Sequence, residues 1–267
     1  MPALGLLLAM SPAAGASTTP ASASARAAAR QALRHLSVGQ HAADHQVSRP
    51  SLRVKGLSQV QSTNWAGYAD TGSGFSTVTG SWTEPSVSCT SQTSLAAFWV
   101  GIDGYSSASV EQDGTLAECY GGAAYYYTWW EMYPTNAIQV VGQTLHAGDS
   151  ITSSVVRSGT SYTLKVTDSS RSGDSFSTTQ ACSSCANSSA EWIAEAPSGS
   201  SGVYPLSDFH GWTESGATVK AGSTSGVISS FSDNEITMIN SSGATKALPG
   251  TLNGSGNGFA VTWERSS

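Results

Sequence analysis

From Ser62 onward the chain runs as short segments rich in Val, Ile, Thr, Tyr, Phe and Trp, broken by Gly, Ser, Asn and Asp. Phe75–Thr83, Leu95–Ile102, Ala123–Tyr133, Ser150–Arg157, Tyr162–Asp168, Ala190–Ala194, Gly216–Val219, Glu235–Ile239 and Gly258–Trp263 are the strand candidates. β-Branched and aromatic residues fit a pleated, half-buried surface, and turn residues between such runs predict an antiparallel sandwich or barrel. No stretch combines sustained helical periodicity with caps. About 207 residues remain once the first 60 are set aside, a length that all-β folds fill as one domain. There is no internal repeat and no second linker.

Residues two apart in a strand share a face. Tyr125, Tyr127, Trp129, Glu131 and Tyr133 therefore line one side of their segment. Trp99 and Asp103 fall together, as do Glu191 and Glu195 beside Ile193. A carboxylate among large aromatics is costly to bury unless paired, and it suits a groove wall. Gln112, in Val110-Glu111-Gln112-Asp113-Gly114, reads as a strand end entering a turn. Taken singly, each of these is an ordinary solvated or hydrogen-bonded polar residue. An aromatic face with interspersed acids also describes a carbohydrate-binding groove.

Composition narrows the class. Charged residues make up 11% of the chain, against about 25% in an ordinary globular domain. That excludes coiled coils and long-helix proteins, and no apolar run is long enough to span a bilayer. Twelve basic residues against 18 acidic ones leave no cationic footprint for nucleic acid. The formal charge of −6 is unevenly spread. Residues 1–60 carry six basic groups and one acid, for +5, and residues 61–267 carry six basic and 17 acidic groups, for −11.

The first 16 residues form a short apolar run ending in Ala14-Gly15-Ala16, which fits a secretory leader without a basic start. Residues 17–60 begin as Ser/Thr/Ala/Pro, a composition that favours disorder. Ala25 to Leu36 is then a helix candidate, with Arg26, Arg30 and Arg34 on one stripe. The segment reads either as a solvated linker or as a basic propeptide docking on the acidic domain 61–267. Secretion is the favoured location.

Cys89, Cys119, Cys182 and Cys185 fit up to two disulfides in an oxidising compartment, with three possible pairings. Cys182-Ser-Ser-Cys185 lacks the histidines of a zinc site, so no metal and no cofactor is expected. Asn187, Asn240 and Asn253 occupy Asn-x-Ser sequons. The chain carries no nucleophile elbow, no His-Glu-x-x-His and no phosphate loop. His146 sits in a turn signal, and His210 is a weak catalytic candidate. That leaves carboxylates and amides.

Six segments occur in order: Asn64-Trp65-Ala66-Gly67, Trp99-Val100-Gly101-Ile102-Asp103-Gly104, Gln112-Asp113-Gly114, Trp129-Trp130-Glu131-Met132-Tyr133-Pro134, Gly148-Asp149-Ser150-Ile151 and Ala190-Glu191-Trp192-Ile193-Ala194-Glu195. Together they resemble the eqolisins, the glutamic peptidases of family G1, over essentially the whole body. The resemblance implies a concanavalin-like β-sandwich of two curved antiparallel sheets with a groove on the concave face. It implies an acid endopeptidase acting on polypeptides, and the leader and charge split add the expectation of a secreted monomer inhibited by its own residues 17–60. Carried over by motif, Glu191 is the catalytic glutamate and Gln112 the catalytic glutamine. Trp99, Asp103, Glu131, Trp129 and Tyr133 fall on supporting or substrate-lining positions. Two features depart from the family pattern: a shorter Asp103–Gln112 loop without the family's cysteine, and Glu111 beside Gln112. The rival readings are a carboxylate-dependent glycoside hydrolase and a non-catalytic carbohydrate-binding sandwich.

Overall fold

The computed structural model describes residues 53–54, 57–142, 144–171, 175–199 and 201–267. The leader, most of the proposed pro-segment and the helix expected near Ala25–Leu36 lie outside them. The described residues form two antiparallel sheets packed face to face, the sandwich that the sequence predicts. Phe75–Thr83 and Ala123–Tyr133 begin and end where the alternation places them, and most other expected strands differ by one residue at one or both ends, but those expected from Gly216 and Glu235 begin earlier, at Gly211 and Ser232.

One sheet runs in the spatial order Asn136–Val141, Ala123–Tyr133, Val110–Tyr120, Ser94–Ile102, Ser189–Glu195, Trp65–Thr71 and Ser232–Ile239. Leu57–Ser62 joins it in parallel against Ser232–Ile239. The facing sheet runs Ser175–Ala181, Ser161–Asp168, Ser150–Ser158, Phe75–Thr83 and Gly211–Ala221. This last strand serves both sheets. Gly211 to Glu214 pair with Phe259–Trp263, and from Ser215 onward the chain pairs with Phe75–Thr83. Gly216, at φ 65°, sits where the register shifts. A residue without Cβ adopts that conformation at no steric cost, so the strand can change sheets there.

The inward faces enclose the main core. Phe98 stacks on Trp212 at 5.6 Å, and Trp212 meets Trp82 and Phe259 edge-on. Trp192 donates its indole N–H to the Thr79 carbonyl of the facing sheet. A second apolar layer covers the opposite face of the first sheet, with Trp65, Trp99, Leu116, Tyr127, Trp129 and Ile193. The central strands of the first sheet are therefore buried on both sides. The Val110–Tyr120 strand corrects the expectation that Gln112 enters a turn: Gln112 is the third residue of an eleven-residue strand. Its polar Glu-Gln-Asp sequence hides a strand buried on both faces.

Both disulfides form, Cys89–Cys119 and Cys182–Cys185. Among the described residues no helix is long and apolar enough to cross a membrane.

Carboxyl groups are unusually common inside. Asp70, Glu84, Asp113, Glu118 and Glu214 are all buried. Desolvation is the largest cause of a raised pKa at each, reaching about 8 for Asp70 and Glu84 and about 7 for Glu118. It pushes Asp113 and Glu214 well above the ordinary range. A folded pKa above the unfolded one means that the native state holds the proton more tightly. The stability from these groups is full below their ordinary values of 3.8 and 4.5 and is lost as pH rises through the folded values. Each such group costs up to about 1.4 kcal/mol per pH unit within its window. Thermal unfolding should therefore occur about 10 °C or more lower at pH 8 than at pH 4.5. A melting temperature that is flat or rising over this interval, measured by circular dichroism, would show that these carboxyls are ionised in the fold.

Candidate active site

Four strands bring the candidate residues into one line. Glu191 stands opposite Gly101, Gly101 opposite Gln112, and Gln112 opposite Glu131. All four share the face of the first sheet turned away from the main core. Glu191 and Gln112 are thus two strand spacings apart, about 9.5 Å at the backbone, with a residue that has no side chain between them. Gly101 keeps this gap open. A Cβ there would lie 3.0 Å from Trp99 Cζ3 and 3.1 Å from Gln112 Cβ.

The next row holds Ile193, Trp99, Gly114 and Trp129. A side chain on Gly114 would collide with the Phe98 carbonyl and with Trp99. Its absence lets the two indoles flank it. Trp99 donates its N–H to Glu195 Oε2 at 2.9 Å and meets Trp65 edge-on at 5.0 Å. Asn64 Nδ2 reaches Glu195 Oε1 at 3.4 Å. Trp129 donates to the Thr115 carbonyl at 3.0 Å. Trp99 and Trp129 are buried, so they wall the row and offer no open face for a sugar ring. Tyr133 ends its strand, half-buried, before a cis peptide bond to Pro134.

Glu131 fixes the amide of Gln112. Gln112 Nε2 donates to Glu131 Oε2 at 2.8 Å, while its Oε1 meets no donor among the described residues. An amide nitrogen carries two hydrogens, so one remains for a second acceptor. Glu191 is fully buried, and neither of its oxygens meets a donor at hydrogen-bond geometry. Burial pushes its carboxyl well above the ordinary range, and the charges of Asp103 and Asp70 push the same way. The nearby Ser189 hydroxyl and Tyr105 N–H offset part of this.

Asp103 does not continue the alternation of its strand. It lies one residue past Ile102, at φ 69°, and turns its carboxylate to the backbone of another segment. Asn187 N donates to its Oδ2 at 2.7 Å, and Ser188 N and Oγ donate to its Oδ1 at 2.8 and 2.9 Å. These residues lead directly into the Glu191 strand. Asp103 therefore braces the approach to the row.

Tyr105, in the loop after Asp103, escapes sequence reasoning. Its phenol is pushed up by burial and by the Glu191 charge, and it packs on the aromatic layer. An aromatic residue following Gly104 is its only sequence signal. His210, at φ 60°, hydrogen-bonds Ser88 at the surface and has no place in the row. An open cavity of about 700 Å³ lies on the facing sheet, lined by Ser81, Thr83, Thr213 and Ser215 among others, away from these residues.

The β-sandwich carries this buried row of carboxyls and an amide on one sheet face, and solved structures of glutamic peptidases are similar to it. Scytalido-glutamic peptidase, solved with a transition-state analog inhibitor, is similar at a TM-score of 0.65 and 25% identity, over 76% of this chain and 98% of that one. Aspergilloglutamic peptidase from Aspergillus niger is similar at a TM-score of 0.54 and 26% identity, over 64% and 99%. Among curated proteins, aspergillopepsin-2 of Aspergillus niger is 28% identical over 195 residues, 64% of this chain and 69% of that protein. Scytalidopepsin B of Scytalidium lignicola is 33% identical over 151 residues, 55% and 56%. The model of the Peptidase A4 family matches residues 63–263, and the chain belongs to that family, the eqolisins, as a glutamic endopeptidase.

The gap over Gly101 gives a direct test of the row. Gly101→Ala places a methyl between Glu191 and Gln112 and should lower kcat/KM by about 10- to 100-fold. The fold should survive, with a modest loss of melting temperature. A folded Gly101→Ala enzyme with wild-type kcat/KM would show that substrate does not use this gap.

Proposed function

We propose that the chain hydrolyses peptide bonds with Glu191 as general base and then general acid, and with Gln112 as the stabiliser of the tetrahedral intermediate. The observation that carries this reading is the cross-strand row Glu191–Gly101–Gln112–Glu131. Water bound over Gly101 gives a proton to the Glu191 carboxylate as its oxygen attacks the scissile carbonyl carbon. The carbonyl becomes an oxyanion, and the Gln112 N–H not bound to Glu131 donates to it. The C–N bond then breaks as Glu191 returns the proton to the leaving nitrogen. A carboxylic acid and an amine leave, and Glu191 is again a carboxylate. Trp99 and Trp129 keep bulk water from the row, and Glu131 prevents the amide from rotating.

Desolvation of Glu191 makes it a stronger base whenever it is ionised. It also orders the pH limbs. The fall of kcat/KM toward low pH reports Glu191 in the free enzyme, and that of kcat reports it in the complex. A lytic water donating to the carboxylate favours the ionised form. The acid limb of kcat/KM should therefore lie at higher pH than that of kcat. Glu191→Gln and Gln112→Ala should each reduce casein hydrolysis by at least about 1,000-fold with the circular dichroism spectrum retained. A folded variant with near wild-type turnover would remove that residue from the mechanism.

We also infer secretion and a pro-segment, residues 17–60, that docks by charge on the peptidase domain of a monomeric enzyme. The +5 against −11 split motivates this. Leu57–Ser62 pairs within the first sheet, which favours processing before Leu57 and limits the docking part to residues 17–56. A synthetic 17–56 peptide should inhibit the mature enzyme near neutral pH, and salt should weaken that inhibition. Absence of inhibition, or inhibition indifferent to salt, would refute electrostatic docking.

A further inference from the structure

Directly behind Gln112, on the opposite face of the same strand, stands Glu111. It pairs across to Ile102 and points between the sheets, and it is fully buried. Asp103 faces it from the end of the neighbouring strand, Arg157 and Tyr162 face it from the other sheet, and Glu191 acts on it from the row. A carboxyl oxygen of Glu111 and the sulfurs of Cys182 and Cys185 lie within 4.8 Å of one another. No donor satisfies either Glu111 oxygen at hydrogen-bond geometry. The acceptor near it is the Asp103 carboxylate.

Asp103 is already engaged by the strap of residues 182–188. The Cys182–Cys185 disulfide closes one end of the strap. Asn187 is held at φ 52°, accepts from the Tyr162 hydroxyl at 2.6 Å and donates to the Cys185 carbonyl at 2.8 Å. Its N–H and that of Ser188 end on Asp103, and the Asp103 N–H donates back to the Ser189 carbonyl at 3.1 Å. Glu191 follows two residues later. The position of Glu191 thus depends on Asp103 remaining a free acceptor for the strap.

We propose that Glu111 is a positioning residue that must stay a neutral carboxylic acid, so that Asp103 can hold the strap and the strap can hold Glu191. The proposal rests on the Glu191–Gln112 reading. Ionised Glu111 would set a second negative charge, buried, beside Asp103 and Glu191, and the strap would be released to relieve it. Burial, then the adjacent Asp103 carboxylate, then the Glu191 charge, push Glu111 up to about 10, with Arg157 opposing.

The consequence is an alkaline limb that the Glu191–Gln112 pair alone does not produce. Glutamine does not titrate, and a base once ionised stays ionised at higher pH, so the pair alone gives one acid limb and a plateau in kcat/KM. The test compares kcat/KM against pH for wild type, Glu111→Gln and Glu84→Gln, using only pH values at which circular dichroism shows all three folded. Glu84 is a buried carboxyl remote from the strap, so it controls for stability. Glu111→Gln should move the alkaline limb upward by about one pH unit or more, and Glu84→Gln should leave it in place. A limb unmoved in Glu111→Gln, or moved equally in Glu84→Gln, overturns the proposal. If Glu111→Gln does not fold, Glu111→Leu, neutral at every pH, is held to the same criteria. If wild type cleaves no peptide, the reading of the row has failed, and amide-exchange protection decides the strap separately. Protection of Asn187 and Ser188 should fall with rising pH in wild type and hold in Glu111→Gln. Equal loss in both would overturn the proposal.

Discussion

An ionised carboxyl without a partner costs several kcal/mol to bury, and this chain buries many. Nine of the 17 acids in residues 61–267 have raised pKa values: Asp70, Glu84, Glu111, Asp113, Glu118, Asp168, Glu191, Glu214 and Asp233. At most of them desolvation outweighs every donor nearby. The fold can hold them by keeping them protonated. The sheet carrying the row is packed on both faces. Its polar side chains either pair, as Gln112 with Glu131 and Trp99 with Glu195 do, or meet no donor at hydrogen-bond geometry, as Glu191 does.

The same condition links stability to chemistry. A carboxyl with a raised pKa is a better proton acceptor when ionised and a sufficient donor once protonated, which is what a residue handling one proton twice requires. Burial also lets a single amide stabilise an oxyanion strongly, since no water competes with it. The formal −11 of the body accordingly overstates the charge that the folded domain presents near neutral pH. Any docking of the basic segment must draw on the remaining exposed acids.

Much of the fold was legible because two-residue alternation is a local signal. Phe75–Thr83 and Ala123–Tyr133 follow from it directly, and the face shared by Trp129 and Glu131 is real. The Val110–Tyr120 strand was not legible. Its Glu-Gln-Asp-Gly start looks like a turn, yet the strand is buried on both faces, with Gln112 donating to Glu131 across the sheet, Ser153 of the other sheet donating to Asp113, and Glu111 without a donor among the described residues. The site residues came from family-like motifs. Their assembly came from register: no local pattern reveals that Gly101 separates Glu191 from Gln112. The ties of Asp103 to Asn187 and Ser188 span 84 and 85 positions, and Glu111 acquires its meaning only beside them.

Proton counting tests the central claim that these carboxyls are neutral in the native state. At pH 6.5 an unfolded chain has its Asp and Glu ionised, whereas burial lifts Asp70 and Glu84 to about 8 and Glu111 to about 10, so the folded chain retains protons on these three. Unfolding the mature domain with urea in unbuffered solution, followed by a pH electrode, should release at least about three protons per molecule. Release of none, or net uptake, would show that the buried carboxyls are ionised in the fold and would contradict this account.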